Sequence, residues 1–355
     1  DVAVTKTFAE TLRTEYDATT GENLGALIEG ASTNLALYSE QFDNAPWVNQ
    51  NITVVSNATE APDNTVSAYK IIETTASSTQ FRTRQLITTV IGNTYTLSCY
   101  FKYSGAEWVA LNFTVGKAWF NLKLGTVGTV STGTASISAE GNGWFKCSVS
   151  AVASLTGTTF YAQLANANGS ETYNGDGTSG VYVWGAQVEA LPFASSYIRT
   201  DGSAVSRSSD NLSVPVTSIP APSLEQTIVA NFDIYGRFSN GRAYEVGGSG
   251  NGRRHIYLPT SGSNPYLGYR YQNASTTMTL LDDKVFKTVS SFDGTLVKFY
   301  SNKELALSLS PTELGNSSTA FFIGANISST EQLNGHISKF STYAQALTAQ
   351  EITLL

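Results

Sequence analysis

Short runs rich in Val, Ile, Thr, Phe and Tyr recur along this chain, and clusters of Gly, Asn, Asp and Ser separate them. Within the runs apolar and polar positions alternate, the period of a strand with one buried face. Residues 94–103, 108–115, 144–152, 158–164 and 181–188 are the clearest cases. Asn142-Gly143 and Asp293-Gly294, between runs, are pairs that enter positive φ at little cost and read as turns. One helix is legible, at the end: Thr348 caps Ala349-Gln350-Glu351-Ile352, and Glu351 completes a capping box. No repeat of roughly 20–50 residues is present, which argues against a propeller or solenoid. The expected fold class is all-β, two β-sandwich domains with a short C-terminal helix.

The length of 355 residues suits two such domains. With 41% hydrophobic residues, including 5 Trp, 17 Phe and 18 Tyr, there is material for real cores. Only 14% of residues are charged, against about 25% in ordinary soluble domains, so Ser, Thr, Asn and Gly must supply surface polarity. The formal net charge of −7 and the lack of any Lys/Arg run argue against nucleic-acid binding. No apolar stretch approaches the ~20 residues of a membrane helix, so no membrane insertion is expected. No charged-then-apolar leader opens the chain. It begins at Asp1, which reads as processing or a missing start.

Two histidines and two cysteines leave little for metal chemistry, because a zinc site needs three or four such ligands close together. Cys99 alternates in phase with Leu97 and Phe101, and Cys147 with Phe145 and Val149, so both thiols should face a core. Free buried thiols in a reducing cytoplasm are the expectation, with a bridge between neighbouring strands as the alternative. No cofactor is expected. Asp176, in a Gly-Asp-Gly-Thr turn, reads as a turn former, and a structural Ca2+ held by its carboxylate and loop carbonyls is the alternative.

The stretch 212–222 packs three prolines into a short span and reads as an extended linker or edge segment. The expected division is an irregular N-terminal arm (1–30) that attaches to another protein, a β domain (31–210), a Pro-rich linker (211–224) and a second β domain (225–355). Several stretches carry a resemblance. Arg13-Thr14-Glu15-Tyr16-Asp17, Gly25-Ala26-Leu27-Ile28-Glu29-Gly30, Thr33-Asn34-Leu35, and Tyr38-Ser39-Glu40-Gln41-Phe42 with Trp47 form one set. Trp119-Phe120-Asn121-Leu122, Gly125-Thr126-Val127-Gly128 and Gly141-Asn142-Gly143-Trp144-Phe145-Lys146-Cys147 form another. Tyr173-Asn174-Gly175-Asp176-Gly177-Thr178-Ser179-Gly180, Val181-Tyr182-Val183-Trp184-Gly185-Ala186-Gln187-Val188-Glu189 and Ser196-Tyr197-Ile198 complete it. Over residues 11–210 the chain thus resembles the carbohydrate-binding-module-like jelly roll of bacteriophage tail fibres, tailspikes and other virion surface proteins. The second half resembles a concanavalin A-like, laminin-G-like lectin sandwich. That likeness rests on Gly294-Thr295-Leu296-Val297-Lys298-Phe299-Tyr300-Ser301-Asn302, Phe322-Ile323-Gly324, Asn334-Gly335-His336-Ile337 and the closing 343–352. There it implies that Leu347 and Ile352 tuck the last helical turn onto the sheet. Asn302-Lys303 stands where that family usually has Asn-Gly.

The resemblance implies a non-catalytic phage virion protein, a tail fibre or receptor-binding protein that adheres to bacterial surface glycan. It would be assembled in the host cytoplasm, exposed on the particle, beside other virion proteins, as a homo-oligomer such as a trimer. The alternative is a structural head-fibre, collar or tail decoration protein without sugar binding. Sugar recognition needs flat rings and planar polar groups. Strand alternation groups Arg82, Arg84, Tyr100, Trp108, Asn112, Tyr161 and Gln163 outward, as a sugar face or a subunit interface. Trp144 and Trp184 read as architectural, Trp47 as a plug under the sandwich edge, and Trp119 fits either role. In the second domain, Arg254 in the basic stretch 247–255 reads as a solvated hairpin tip or as an anion donor for acidic sugars, with Tyr257, Tyr269 and Tyr271 nearby for stacking. No enzymatic activity is expected: no Glu-x-Asp-x-x-Glu or Gly-x-Ser-x-Gly string occurs, and Asp282-Asp283 would face opposite sides of a strand.

Overall fold

A computed structural model describes residues 5–6, 13–113, 116–215, 226–234, 241–246, 254–258, 266–271, 274–279, 285–293, 295–309, 320–325, 332–343 and 345–355, some strand positions as backbone only. The chain divides into two compact units: Ala18–Thr20 with Ser32–Arg207, and Asp1–Asp17 with Gly21–Ala31 and Ser208–Leu355. Apart from the C-terminal helix, the regular elements described are strands, so the all-β expectation holds.

The first-named unit is a sandwich of two antiparallel six-stranded sheets. One runs in the order Thr126–Thr132, Gly116–Asn121, Trp108–Phe113, Gly157–Ala165, Arg82–Thr88, Val48–Gln50. The other runs Thr134–Ala139, Trp144–Val152, Thr94–Ser104, Gly180–Glu189, Ala68–Glu73, Ile52–Thr59. Alternation builds the core. Leu97, Cys99 and Phe101 from the second sheet join Val109, Leu111, Phe113, Phe120, Phe160 and Leu164 from the first. Each such side chain contributes roughly 1.5–3 kcal/mol by leaving water. Cys99 and Cys147 lie directly opposite each other across paired strands, both buried and unbridged. Trp47 is buried beside Phe42 and Phe160, its ring N–H donating to the Tyr38 carbonyl at 3.0 Å. Asn142 and Gly143 take φ of 50° and 78°, as the turn reading requires.

Among its described residues the other unit holds two seven-stranded sheets. One runs Thr14–Tyr16, Asn23–Ile28, Gly335–Tyr343, Gln226–Asp233, Val285–Phe292, Val297–Ser301, Glu304–Leu309. The second runs Thr5–Lys6, Leu212–Pro215, Ala320–Ile323, Gly241–Val246, Arg254–Leu258, Tyr266–Tyr271, Ala274–Thr279. Leu347 and Ile352 pack with Val229, Val289 and Tyr300, and the Thr348–Glu351 capping box is complete. Asn302 and Lys303 turn the hairpin with φ of 48° and 73°.

Two expectations need correction. The segment read as an irregular arm holds sheet among its described residues: Asn23–Ile28 pairs with Gly335–Tyr343, Ile28 opposite Gly335, and Ile28 enters the core with Phe232 and Phe299. Gly25, at φ 107°, allows this approach, since a Cβ there would strike the Ile337 carbonyl. Arg13 ties the segment down by ion pairs to Glu29 (2.8 Å) and Asp210. The linker reading also fails for residues 212–215, which form a strand between Thr5–Lys6 and Ala320–Ile323 because Leu212 supplies an apolar side chain to that core. Residues 216–225, the rest of that stretch, lie outside the described residues.

Candidate functional site: the outer face of a six-stranded sheet

In the sheet containing Trp108–Phe113, the face turned away from the core is ordered by register. One row across the strands reads Val48, Arg84, Tyr161, Asn112, Lys117. The next reads Gln50, Arg82, Gln163, Ala110, Trp119, and a third Ala165, Trp108, Asn121. Six residues grouped by alternation, Arg82, Arg84, Trp108, Asn112, Tyr161 and Gln163, therefore share one surface. Tyr100 does not. Phase along a strand settles which face a residue takes but not which sheet, and Thr94–Ser104 belongs to the opposite sheet. There Tyr100 is buried with Trp144, Trp184 and Tyr197, its ring 5.2 Å from that of Trp184. Trp144 and Trp184 anchor by ring N–H bonds to the Glu60 carbonyl and the Ser67 hydroxyl, both at 3.1 Å, as architectural residues do.

Small residues shape the face. Ala110 and Ala165 leave hollows that Trp119 and Trp108 cover. Trp119 is only 6% exposed, and Lys117 Nζ sits 4.5 Å above its ring. Lys117 also pairs with Glu171, in the loop after Gly157–Ala165. That loop holds the Thr129 amide through Asn168 (2.8 Å), and Gly128 lets the chain pass so close that an added Cβ would lie 2.6 Å from Trp108. Arg82 lies over the Tyr161 ring at 4.6 Å and donates through Nε to Gln50 at 3.0 Å. Burial pulls Arg82 below the ordinary arginine range, with the charge of Arg84 adding to that and Tyr161 opposing it.

Beneath these groups the hydrogen-bond accounting does not close. Gln163 is fully buried, yet neither end of its amide has a partner among the described residues. Trp119 Nε1 and Arg84 Nε are likewise buried and unpaired. A buried polar group left unpaired costs roughly 1–3 kcal/mol. Lys117, Trp119 and Gln50 are members that alternation alone did not assign. The Lys117/Trp119 parity was readable, but their place beside Asn112 and Ala110 is set by cross-strand register.

Other predicted positions fall differently. The strands of Arg254, Tyr257, Tyr269 and Tyr271 are described, with Arg254 opposite Tyr271 and Tyr257 opposite Gly268, but the four side chains lie outside the described residues. So do residues 247–253 and Asp282-Asp283. Asp176 accepts from the Thr178 and Ser179 amides and hydroxyls, which hold it well below the carboxylate range. This is the turn-former geometry. Among the described residues no group of three or more His, Cys, Asp or Glu could hold a metal ion.

Fold and face together define an antiparallel β-sandwich protein with a ring-lined, cation-bearing sheet face on one of its two units. Residues 208–353 match a laminin G family model described as the concanavalin A-like lectin/glucanases superfamily, the likeness read in the second half. No curated protein matches the sequence. Solved structures similar to the chain include the CBM40 of the Ruminococcus gnavus IT-sialidase bound to α2,3-sialyllactose, at 18% identity and TM-score 0.31, covering 38% of this chain and 83% of that one. Domain 4 of the Geobacillus stearothermophilus arabinanase AbnA, in complex with arabinotriose, is 15% identical with TM-score 0.33, covering 41% and 71%. Domains LG4-5 of the mouse laminin α1 chain are 8% identical with TM-score 0.27, covering 96% and 95%. Likenesses this distant assign neither a ligand nor a role to this chain.

Proposed function

We propose that this chain is a non-catalytic carbohydrate-binding protein of a bacteriophage particle, a tail fibre or receptor-binding protein that adheres to bacterial surface polysaccharide. The observation that carries the sugar-binding reading is the sheet face itself: half-buried Trp108 and Tyr161 beside planar polar groups. Rings receive the C–H faces of sugars, and the half-buried Arg82, Arg84 and Asn112 side chains receive hydroxyls. The lectin-type family match over 208–353 supports the same reading, and the virion setting rests on the motif resemblance across 11–210.

Two carboxylates near this face support a passive role for it. Glycoside hydrolysis needs two, one of them a general acid with a raised pKa. Glu171 is paired to Lys117. Hydrogen bonds from Asn121 and Lys123 hold Glu107 below the usual carboxylate range, the opposite of what an acid requires. Weak single sites gain by repetition on a particle, so a homo-oligomer, a trimer in this reading, would raise avidity.

The test is a bacterial glycan array with the full chain and its Trp108→Ala and Tyr161→Ala variants, beside antibody labelling of purified particles. Binding by the parent that both variants lose, with labelled particles, is the expected result. An array without a hit would overturn the sugar-binding reading, depolymerised glycan the non-catalytic one, and unlabelled particles the virion one.

A further inference from the structure

The hydrogen-bonding balance of the same face is lopsided, and the imbalance names a ligand class. Its free groups are mostly donors. Arg82 spends Nε on Gln50 and shows no partner for its terminal nitrogens among the described residues. Arg84 likewise shows no hydrogen-bond partner among the described residues, and its Nε is buried. Against these two guanidinium groups stand the half-buried Asn112 amide and Tyr161 hydroxyl, each able to donate as well as accept. At the margins Gln50 Oε1 accepts from Arg82, and Glu171 Oε1 accepts from Lys117. Neutral sugar hydroxyls both donate and accept, whereas a carboxylate only accepts.

Charge points the same way. In a chain of net charge −7, Arg82 and Arg84 project from one strand face two residues apart, roughly 7 Å, with no ion pair to either among the described residues. Arg82 is held over the Tyr161 ring, its guanidinium carbon 4.6 Å from the ring centre, and by its bond to Gln50. A guanidinium so fixed offers a planar fork, which matches two coplanar carboxylate oxygens.

We propose that this face binds an acidic polysaccharide through its carboxylate groups, a uronate-type glycan, with Arg82 and Arg84 as the anion donors beside the Tyr161 ring. The inference rests on the sugar-binding reading above and assigns anion recognition to this sheet face instead of the stretch around Arg254.

The experiment is affinity electrophoresis of the full chain in gels holding polygalacturonate, hyaluronate or alginate, each native and carboxyl-reduced, with dextran and dextran sulfate alongside. At least one native uronate polymer should retard the protein, and carboxyl reduction should weaken retention roughly tenfold or more, the worth of a hydrogen bond to a charged group. Arg82→Gln/Arg84→Gln should remove the preference, and Arg84→Lys, which keeps charge but loses the fork, should remove most of it even if the double variant fails to fold. Equal retention by native and reduced polymers, or equal retention by dextran sulfate, would overturn the carboxylate assignment while leaving sugar binding standing. Array hits confined to neutral glycans would do the same. No retention together with an empty array would remove both.

Discussion

His336 and Glu15, 321 positions apart in the chain, meet at 2.6 Å through Nε2, while the other ring nitrogen of His336 lies 3.0 Å from both carboxylate oxygens of Asp233. Three strands, Thr14–Tyr16, Gly335–Tyr343 and Gln226–Asp233, are thereby cross-linked through one imidazole. Burial alone would lower the pKa of His336, but the hydrogen bonds and charges of Asp233 and Glu15 overcome that and push it up to about 9.

Proton linkage sets the sign of the resulting pH dependence. A folded pKa above the unfolded value of about 6.5 means the bridge contributes fully below that pH, and its contribution is lost as pH rises through about 9. With Glu15 partly exposed, the effect is on the order of 2 kcal/mol. Urea midpoints followed by circular dichroism should fall between pH 6 and pH 10, and His336→Gln should flatten that slope.

Arg13 offers a second check. Its loss would remove the cation paired with the buried Glu29 carboxylate, a change that costs about 2–4 kcal/mol. All five tryptophans (47, 108, 119, 144 and 184) belong to the other unit, so their fluorescence is blind to this site. Arg13→Ala should therefore lower the unfolding midpoint seen by circular dichroism and leave the tryptophan transition in place.

Gln163→Leu should separate stability from binding. Replacing an unpaired buried amide by an apolar group of similar volume should stabilise the unit by about 1–3 kcal/mol in urea titrations followed by tryptophan fluorescence. The same variant should bind glycan as the parent does, since this amide lies out of a ligand's reach. Altered binding, or a loss of stability, would contradict the role given to this side chain.

The facing thiols make a fourth prediction. Burial raises the pKa of both Cys99 and Cys147, so neither offers a thiolate near neutrality. A disulfide-exchanging thiol reagent should titrate none in the native protein and two in denaturant.

What local order could determine, the amino-acid sequence determined by itself. Period-two alternation needs only neighbours along one strand, so it correctly turned Cys99 and Cys147 inward and Arg82, Trp108, Tyr161 and Gln163 to one outer face. The capping box of Thr348 and Glu351 is likewise written within four residues. Tertiary structure alone decided which strands became neighbours. That choice put Tyr100 in the opposite sheet, laid Asn23–Ile28 beside Gly335–Tyr343, and brought Lys117 and Trp119 next to Asn112 and Ala110. Strand pairing joins segments far apart in sequence, and backbone hydrogen bonds are the same for every residue type. Register and partner are therefore set by how whole cores and distant charges such as Arg13, Glu29 and Asp210 fit together.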